Sequence, residues 1–166
     1  MIKIVKIPED RLSVLIGRRG SVKREIQKLT KTKIDIQDDV TIDGDSIDVL
    51  TAENVVKAIG RGFSPEIALL LCNEENTIEI IPLPKERKEL NRMKSRLIGT
   101  KGKSRRNIET LTRTNISVFG KTVSIIGRYE NVSMATDALT KIIDGATHSF
   151  VYRYLEERQK DVLKCD

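Results

Sequence analysis

Hydrophobic and polar positions along the first half of the chain follow two periodicities, one typical of strands and one typical of helices. Period-two alternation over residues 2–7 and Ile34–Ile36 predicts strands, and apolar spacing of three and four predicts helices. The predicted helices run from Glu9 to Ile16, from Ser21 as N-cap through Val22, Ile26 and Leu29, and from Thr51 as cap through Val55, Val56 and Ile59. Asp43–Asp45 predicts a tight turn, and Ser46–Leu50 the returning strand of a hairpin.

The second half repeats this order of elements. The predicted elements are a strand at Thr77–Ile81, helices at Lys85–Ile98 and Lys103–Arg113, a hairpin of Asn115–Phe119 and Thr122–Ile126, and a helix through Met134 to Ile143. Between the halves, Ser64 and Pro65 predict the start of a short apolar helix, Ile67–Leu71, buried at the junction. A last helix, Thr147 to Leu163, presents a stripe of Phe150, Val151, Tyr154, Leu155 and Arg158 that we expect to dock on the body.

A duplicated glycine motif is the strongest signal in the chain. Gly17–Gly20 and Gly99–Gly102 are Gly-x-x-Gly segments, and 99 − 17 gives an offset of 82 at which residues 13–36 and 95–118 align without a gap. With 10 glycines in 166 residues, one such motif could arise by chance, but two in matching context indicate an internal repeat. The repeat predicts modules at 1–63 and 76–145, a helical junction at 64–75 and a C-terminal helix at 146–166.

Charge is concentrated at the two glycine motifs. The net charge is +6, yet residues 15–33 and 94–113 each hold seven basic residues against one acidic residue, so the rest of the chain carries −6. A positive field confined to two repeated loops is typical of phosphate binding and predicts a nucleic-acid partner. No apolar run reaches the roughly 20 residues of a membrane span, so we expect a cytoplasmic protein with no membrane partner. Cys72 and Cys165 are isolated, which predicts structural or incidental thiols and no metal site.

The order strand, helix, Gly-x-x-Gly, helix, strand, strand, helix resembles the KH domain of the eukaryotic (type I) arrangement. The pattern Ile-Gly-x-x-Gly followed by a basic residue and Ile, at Ile16–Ile26 and Ile98–Ile108, is similar to that family's signature. The resemblance implies an α+β fold with two tandem type I KH domains (β-α-α-β-β-α), each a three-stranded sheet covered by helices, and a C-terminal helical extension. It also implies that each loop clamps about four nucleotides of single-stranded RNA.

Candidate RNA-binding residues follow from the loops and the helices behind them. Glycines let the backbone approach a phosphate, and the next helix adds its N-terminal N–H groups and dipole. The expected backbone contacts are Gly17, Arg18, Arg19, Gly20, Lys23, Arg24, Gly99, Thr100, Lys101, Gly102, Lys103, Arg105 and Arg106. The resemblance implies an apolar base groove lined by Leu12, Ile16, Ile36, Met93, Ile98 and Val118. Ile26, Leu29, Ile108 and Leu111 are assigned to the core.

Several catalytic readings fail on spacing or composition. Gly102-Lys103-Ser104 resembles the end of a P-loop, but Leu97 stands where the earlier glycine belongs. His148, the only histidine, has no nearby Ser, Cys or Asp arrangement that suggests an acid-base relay. Asp38, Asp39, Asp43 and Asp45 are explained by solvation of the hairpin end. Aromatic residues make up 4% of the chain, too few for an RRM-type stacking platform. We therefore expect no enzyme activity, no cofactor and no small-molecule substrate.

Two function classes remain open. The first is a noncatalytic RNA-binding factor, in which both loops or only one hold RNA; Thr100 replaces the usual basic tip in the second loop. The second is a protein-interaction adaptor built on KH folds, in translation or RNA processing. Within the superfamily, the block Arg96–Glu109 and the two-module layout resemble archaeal members of the Partner of Nob family of small-subunit ribosome assembly factors. That resemblance implies binding to the 3′ region of 16S ribosomal RNA in the pre-small-ribosomal subunit, and cooperation with the Nob endonuclease.

Overall fold

The structure is a computed structural model that describes residues 1–164, with side chains to Asp161. Six strands and eight α-helices follow in the described part of the chain. In chain order they are β1 Ile2–Val5, α1 Glu9–Ile16, α2 Ser21–Thr30, β2 Lys33–Ile36, β3 Val40–Asp43, α3 Ser46–Gly60, α4 Pro65–Ala68, β4 Asn76–Pro82, α5 Arg87–Ile98, α6 Lys103–Thr112, β5 Asn115–Phe119, β6 Thr122–Arg128, α7 Tyr129–Ile143 and α8 His148–Lys164. Short 3₁₀ turns lie at Arg18–Gly20, Leu69–Cys72 and Thr100–Gly102.

The chain divides into two compact units, Met1–Ile78 and Glu79–Asp166. Each holds a three-stranded sheet, with strand order β1-β3-β2 and β4-β6-β5, in which β3 and β6 are central. The pairs β1–β3, β2–β3 and β5–β6 are antiparallel, with Ile4 opposite Thr41 and Ser117 opposite Ser124. This is the β-α-α-β-β-α order twice, so the predicted fold class is confirmed.

The core of the first unit is aliphatic. Leu15, Ile26, Ile34, Ile42 and Ile59 are fully buried because α1, α2 and α3 turn their apolar stripes onto one face of the sheet. The segment Pro65–Cys72 lies within this unit, and Ser64 caps its helix by accepting a hydrogen bond from Ile67 N at 3.4 Å, as the Ser-Pro sequence predicts. Of that segment Ala68 and Leu71 are buried, whereas Leu70 is exposed.

The C-terminal helix α8 is part of the core of the second unit. Val151 and Leu155 are fully buried among residues of α6 and α7. Arg158 donates to Asp137 Oδ2 and to Tyr154 Oη, and Lys141 lies over the Tyr154 ring. The predicted docking stripe is therefore found except at one position, because Phe150 is 53% exposed. Cys165, predicted as an incidental thiol, lies outside the described residues.

The predicted strand at Ser46–Leu50 is wrong. The returning strand is β3, where Val40 and Ile42 are buried in alternation, and Ser46–Leu50 forms the first part of α3. Asp45, in extended conformation, is the N-cap of α3, so Asp43–Asp45 ends a strand and starts a helix. Thr51 is not a cap but an interior residue whose hydroxyl donates to Ile47 O at 3.1 Å.

Two further expectations are corrected. Ser21 is the first residue of α2, not its cap; Gly20 holds the N-cap position in left-handed conformation. Leu29, assigned to the core, is 51% exposed, because it lies on the outer side of the α2 stripe. By contrast Ile26 and Ile108 are fully buried, as predicted.

Equivalent contacts hold the helix that precedes the glycine loop in each unit. Arg11 on α1 donates to the carbonyl oxygens of Ile59 and Phe63, and Arg96 on α5 donates to those of Ile142 and Ala146. These acceptors correspond between the units, since 142 − 59 and 146 − 63 are both 83. Each arginine thus donates to one carbonyl in the last turn of α3 or α7 and to one just beyond it, and fixes the helix that leads into a loop.

Candidate nucleic-acid interface

The two Gly-x-x-Gly loops have the same backbone conformation. Gly17 and Gly99 have φ of 74° and 75° with extended ψ, and Gly20 and Gly102 have φ of 74° and 75° with ψ of 16° and 15°. The third residue of each motif is also left-handed, with φ of 55° at Arg19 and 53° at Lys101. Each loop leads directly into a ten-residue helix, α2 or α6, whose N-terminal N–H groups and dipole favour an anion.

The first glycine of each motif is required by space as well as by conformation. A Cβ on Gly17 would lie 2.4 Å from Val22 Cγ2, and a Cβ on Gly99 would lie 2.8 Å from Ser104 Cβ and from Ser104 N. Because a real side chain cannot approach a backbone nitrogen so closely, the loop and the helix behind it can pack this tightly only with glycine there. The backbone of the loop is consequently free to come within reach of a phosphate.

The predicted basic residues surround both loops. Arg18, Arg19, Thr100 and Lys101 are exposed at the tips, Arg24, Lys103 and Arg106 are exposed on the first turns behind them, and Lys23 is half-buried. Arg24 also folds back, because its Nη1 donates to Arg19 O at 2.6 Å and so holds the left-handed residue in place. The sequence predicted Arg24 as a backbone contact only; its part in closing the loop depends on the fold.

Arg105 has a structural partner that the sequence did not identify. Its Nη1 lies 2.7 Å from Glu109 Oε1, and Glu109 Oε2 accepts from Ile116 N at 2.9 Å. In the first unit Gln27 takes the place of Glu109 and accepts from Ile34 N at 2.8 Å. The second unit thus ties α6 to β5 with a charged side chain where the first uses a neutral one, and Arg105 balances that charge.

Most of the predicted base-groove residues are accessible. Leu12, Ile36, Ile98 and Val118 are half-buried and Ile16 is 38% exposed. Met93 is the exception: it is 8% exposed and packs with the core of the second unit, so we reassign it from groove to core.

A cleft behind the second loop was not predicted from the sequence. It has a volume of about 680 Å³ and lies between α5, the loop, the start of α6 and the start of α8. His148 and Tyr152 of α8 form one side, with their rings stacked at a centroid distance of 6.2 Å. His148 Nε2 lies 2.7 Å from Arg96 O; a carbonyl only accepts, so this nitrogen carries a hydrogen. The sequence places His148 and Tyr152 about fifty residues from the loop, and only the docking of α8 brings them there.

The described part of the chain gives no support for a metal site, a reactive thiol or a membrane-spanning helix. Among residues 1–164, no three His, Cys, Asp or Glu side chains are grouped so as to hold a metal ion. Asp38 and Asp39 lie in the hairpin turn, Asp43 ends β3 and Asp45 caps α3. Burial, with the nearby charge of Glu25, raises the pKa of the Cys72 thiol, which disfavours a reactive thiolate. None of the described helices is long and apolar enough to cross a membrane.

Comparisons with known proteins agree with the geometry. Residues 75–160 match the eukaryotic type KH domain (KH-domain type I) of PNO1, second copy, and residues 2–58 match the KH domain. A KH domain-containing protein of Methanocaldococcus jannaschii is 46% identical over 96% of this chain and 75% of its own length. The pre-rRNA-processing protein pno1 of Emericella nidulans is 28% identical over 63% of this chain; the aligned region is 43% of that protein.

A solved structure extends the similarity to three dimensions. The chain is similar to aDim2p of Pyrococcus horikoshii in its complex with a/eIF2alpha and rRNA, with a TM-score of 0.90, 46% identity, and coverage of 97% of this chain and 95% of that one. The resemblance to archaeal Partner of Nob proteins is thereby confirmed. The chain belongs to the KH-domain family of the eukaryotic type, type I, with two such domains, and its relatives are the PNO1 and Dim2 proteins.

Proposed function

We propose that this protein is a noncatalytic RNA-binding factor of small-subunit ribosome assembly that clamps single-stranded RNA with its glycine loops. The observation that carries the proposal is that both loops keep the same left-handed backbone, with exposed cations at their tips and a helix N-terminus behind them. These are the parts that hold the backbone of about four nucleotides in a KH domain. Two loops on one chain raise affinity for a longer strand through effective concentration.

The RNA target in this proposal is the 3′ region of 16S ribosomal RNA within the pre-small-ribosomal subunit, in the cytoplasm. The support is the relatives: one is named a pre-rRNA-processing protein, and one forms a complex with rRNA. In the same proposal residues 1–63 and 76–145 are the two RNA-binding modules, 64–75 joins them, and 146–166 completes the second. Cooperation with the Nob endonuclease belongs to the proposal through the family resemblance.

Loop charge reversals test the clamp. We expect Arg18→Asp with Arg19→Asp, and Thr100→Asp with Lys101→Asp, to weaken binding of a labelled 3′-end RNA measured by fluorescence anisotropy. Both variants should stay folded, because all four side chains are exposed and Asp tolerates the left-handed conformation. Each phosphate contact made by a cation on a single strand contributes about −0.7 to the slope of log K against log salt. The Arg18/Arg19 variant loses two cations and should flatten that slope by about 1.4, whereas the Thr100/Lys101 variant loses one and should flatten it by about 0.7.

A matched control and a scrambled RNA make the result decisive. Lys85→Asp with Lys88→Asp reverses two exposed charges near the start of α5, away from the loops, and should leave both affinity and salt slope nearly unchanged. Binding that ignores the loop charges, or that does not distinguish the 3′-end RNA from its scramble, would contradict the proposal. Weak binding that is indifferent both to RNA sequence and to loop charge would favour a protein-interaction adaptor.

A further inference from the structure

The cleft behind the second loop has the composition of a nucleotide site. It is lined by the basic residues Arg92, Arg96 and Lys103, and no Asp or Glu is among the described residues that line it. Its floor includes the first turn of α6, whose N–H groups face an incoming anion. A volume of about 680 Å³ is within the range of small-ligand sites and large enough for one nucleotide.

Ser104 is an independent sign that the cleft takes a polar ligand. Its side chain is buried, with the residue 3% exposed, and its Oγ has no hydrogen-bond partner among the described residues. A buried hydroxyl without a partner is costly, and it lines this cleft at the N-terminal turn of α6. A phosphate oxygen placed there would accept from Ser104 Oγ and from Lys103 together.

The aromatic side of the cleft fits a base. Tyr152 and His148 lie one helical turn apart on α8 with rings inclined by 20°, and they face the basic side of the cleft. A base stacks on such a ring whatever its identity, because every base has a π-face. Cations, a buried hydroxyl and an aromatic wall together match a phosphate joined to a base better than an acidic peptide.

We propose that this cleft holds a nucleotide that directly flanks the nucleotides clamped by the second loop, with its phosphate at Ser104 and its base against Tyr152. The inference rests on the proposed function, which it extends from the front of the loop to its back. On α5, Arg96 and Ile98 are two residues apart, which places them about 200° apart around the helix. The strand therefore turns around the loop between the base groove and the cleft.

The first loop has no equivalent of this site. The residue that corresponds to Ser104 is Val22, and the one that corresponds to Lys103 is Ser21, at the same offset of 82. The inferred nucleotide is thus specific to the second unit, and Ser104→Val copies the first unit's residue into the second with little change of volume.

The test uses the full chain carrying Arg18→Asp and Arg19→Asp, so that binding reports the second loop. Anisotropy compares a four-nucleotide RNA with RNAs lengthened by one or two nucleotides at the 5′ or the 3′ end. We expect lengthening at one end to tighten binding by about tenfold. Tyr152→Ala and Ser104→Val should remove most of that gain and leave the affinity for the four-nucleotide RNA unchanged. Tyr152→Phe, which keeps the ring, should keep the gain.

A fluorescence readout distinguishes direct contact between Tyr152 and the base from a structural effect of the substitution. 2-Aminopurine at the flanking position should be quenched on binding to the parent chain and to Tyr152→Phe, but not to Tyr152→Ala. Circular dichroism melting of each variant identifies any that fails to fold, and Arg92→Ala, an exposed change in the same cleft, then serves as the second variant and should reduce the gain. No gain at either end, or equal loss for short and long RNA in Tyr152→Ala, would overturn the inference. If Thr100→Asp with Lys101→Asp has no effect on the four-nucleotide RNA, the proposed function itself fails.

Discussion

Glu109 offers a test of how the second unit is held together beneath its proposed RNA-binding surface. Its Oε2 accepts from Ile116 N at 2.9 Å, and Ile116 is 4% exposed, so the amide has little access to water. Glu109→Ala removes the acceptor and leaves that amide without a hydrogen-bond partner, which costs about 1–3 kcal/mol. The half-exposed pair with Arg105 adds about 0.5 kcal/mol. We therefore expect Glu109→Ala to lower the free energy of unfolding by about 2–3 kcal/mol.

Glu109→Gln separates the hydrogen bond from the charge. Gln27 already accepts from the Ile34 amide in the first unit, so an amide oxygen suffices for this geometry. We expect Glu109→Gln to cost under about 1 kcal/mol. It should also strengthen RNA binding, because it removes a carboxylate from the cationic surface and frees Arg105 from its partner.

Urea unfolding followed by circular dichroism measures both variants, and hydrogen exchange at the Ile116 amide localises the effect. The chain has two units, so two transitions are fitted and only the one carrying the second unit should move. Gln27→Ala provides the matched change in the first unit and should move the other transition. Equal destabilisation by Glu109→Gln and Glu109→Ala, or a loss below about 0.5 kcal/mol in Glu109→Ala, would refute the reasoning.

Two further changes test charge and capping. Burial opposes ionisation of Glu53, but the hydrogen bond and charge of Lys57, with the charge of Lys3, leave the pKa of this carboxyl below its ordinary 4.5. Glu53→Gln should therefore destabilise the first unit by about 1 kcal/mol at neutral pH. A lowered pKa contributes its full stabilisation above the unfolded value and loses it as the pH falls through the folded value, so the difference from wild type should shrink below about pH 4.5. Urea titrations at about pH 7 and about pH 3.5 that show the same difference would contradict this. Arg96→Ala removes the side-chain donor to Ala146 O, beyond the end of α7, and one of the two donors to Ile142 O, which also accepts from Gly145 N. It should cost about 1–2 kcal/mol in thermal unfolding, whereas the exposed Arg92→Ala should cost almost nothing.

Proline and glycine residues at the ends of elements explain which element boundaries the sequence predicts well. Pro8 and Gly17 bound α1, so its predicted and observed limits are the same, Glu9–Ile16. The glycines at the ends of α5 and before α6 do the same for the second loop. Proline fixes φ, and glycine adopts positive φ without the steric cost that other residues have, so at these positions the signal needs no knowledge of the tertiary structure.

The error at Ser46–Leu50 has a cause that the repeat itself could have corrected. Asp-Gly is a strong hairpin signal, and Ile47, Val49 and Leu50 are common in strands, so the local signals favoured a strand. The repeat offset, however, rises from 82 to 83 across the hairpin: α3 at 46–60 corresponds to α7 at 129–143 at both ends. Carrying the repeat beyond residue 36 at that offset would have moved the returning strand from Ser46–Leu50 to residues 39–43, which correspond to the predicted strand Thr122–Ile126.

What the sequence could not give is how each copy differs around a shared loop. The backbone of the two motifs agrees within a few degrees, so selection of glycines and of the left-handed third residue accounts for the similarity. The differences lie in the side chains that surround the loops. Gln27 in the first unit corresponds to Glu109, paired with Arg105, in the second, and Val22 corresponds to Ser104. Gln27 and Glu109 become interpretable only when their contacts with β2 and β5 are known, and Ser104 only when the docking of α8 beside it is known. The two copies therefore share their loop conformation through local sequence, whereas the side chains around each loop differ because of tertiary packing.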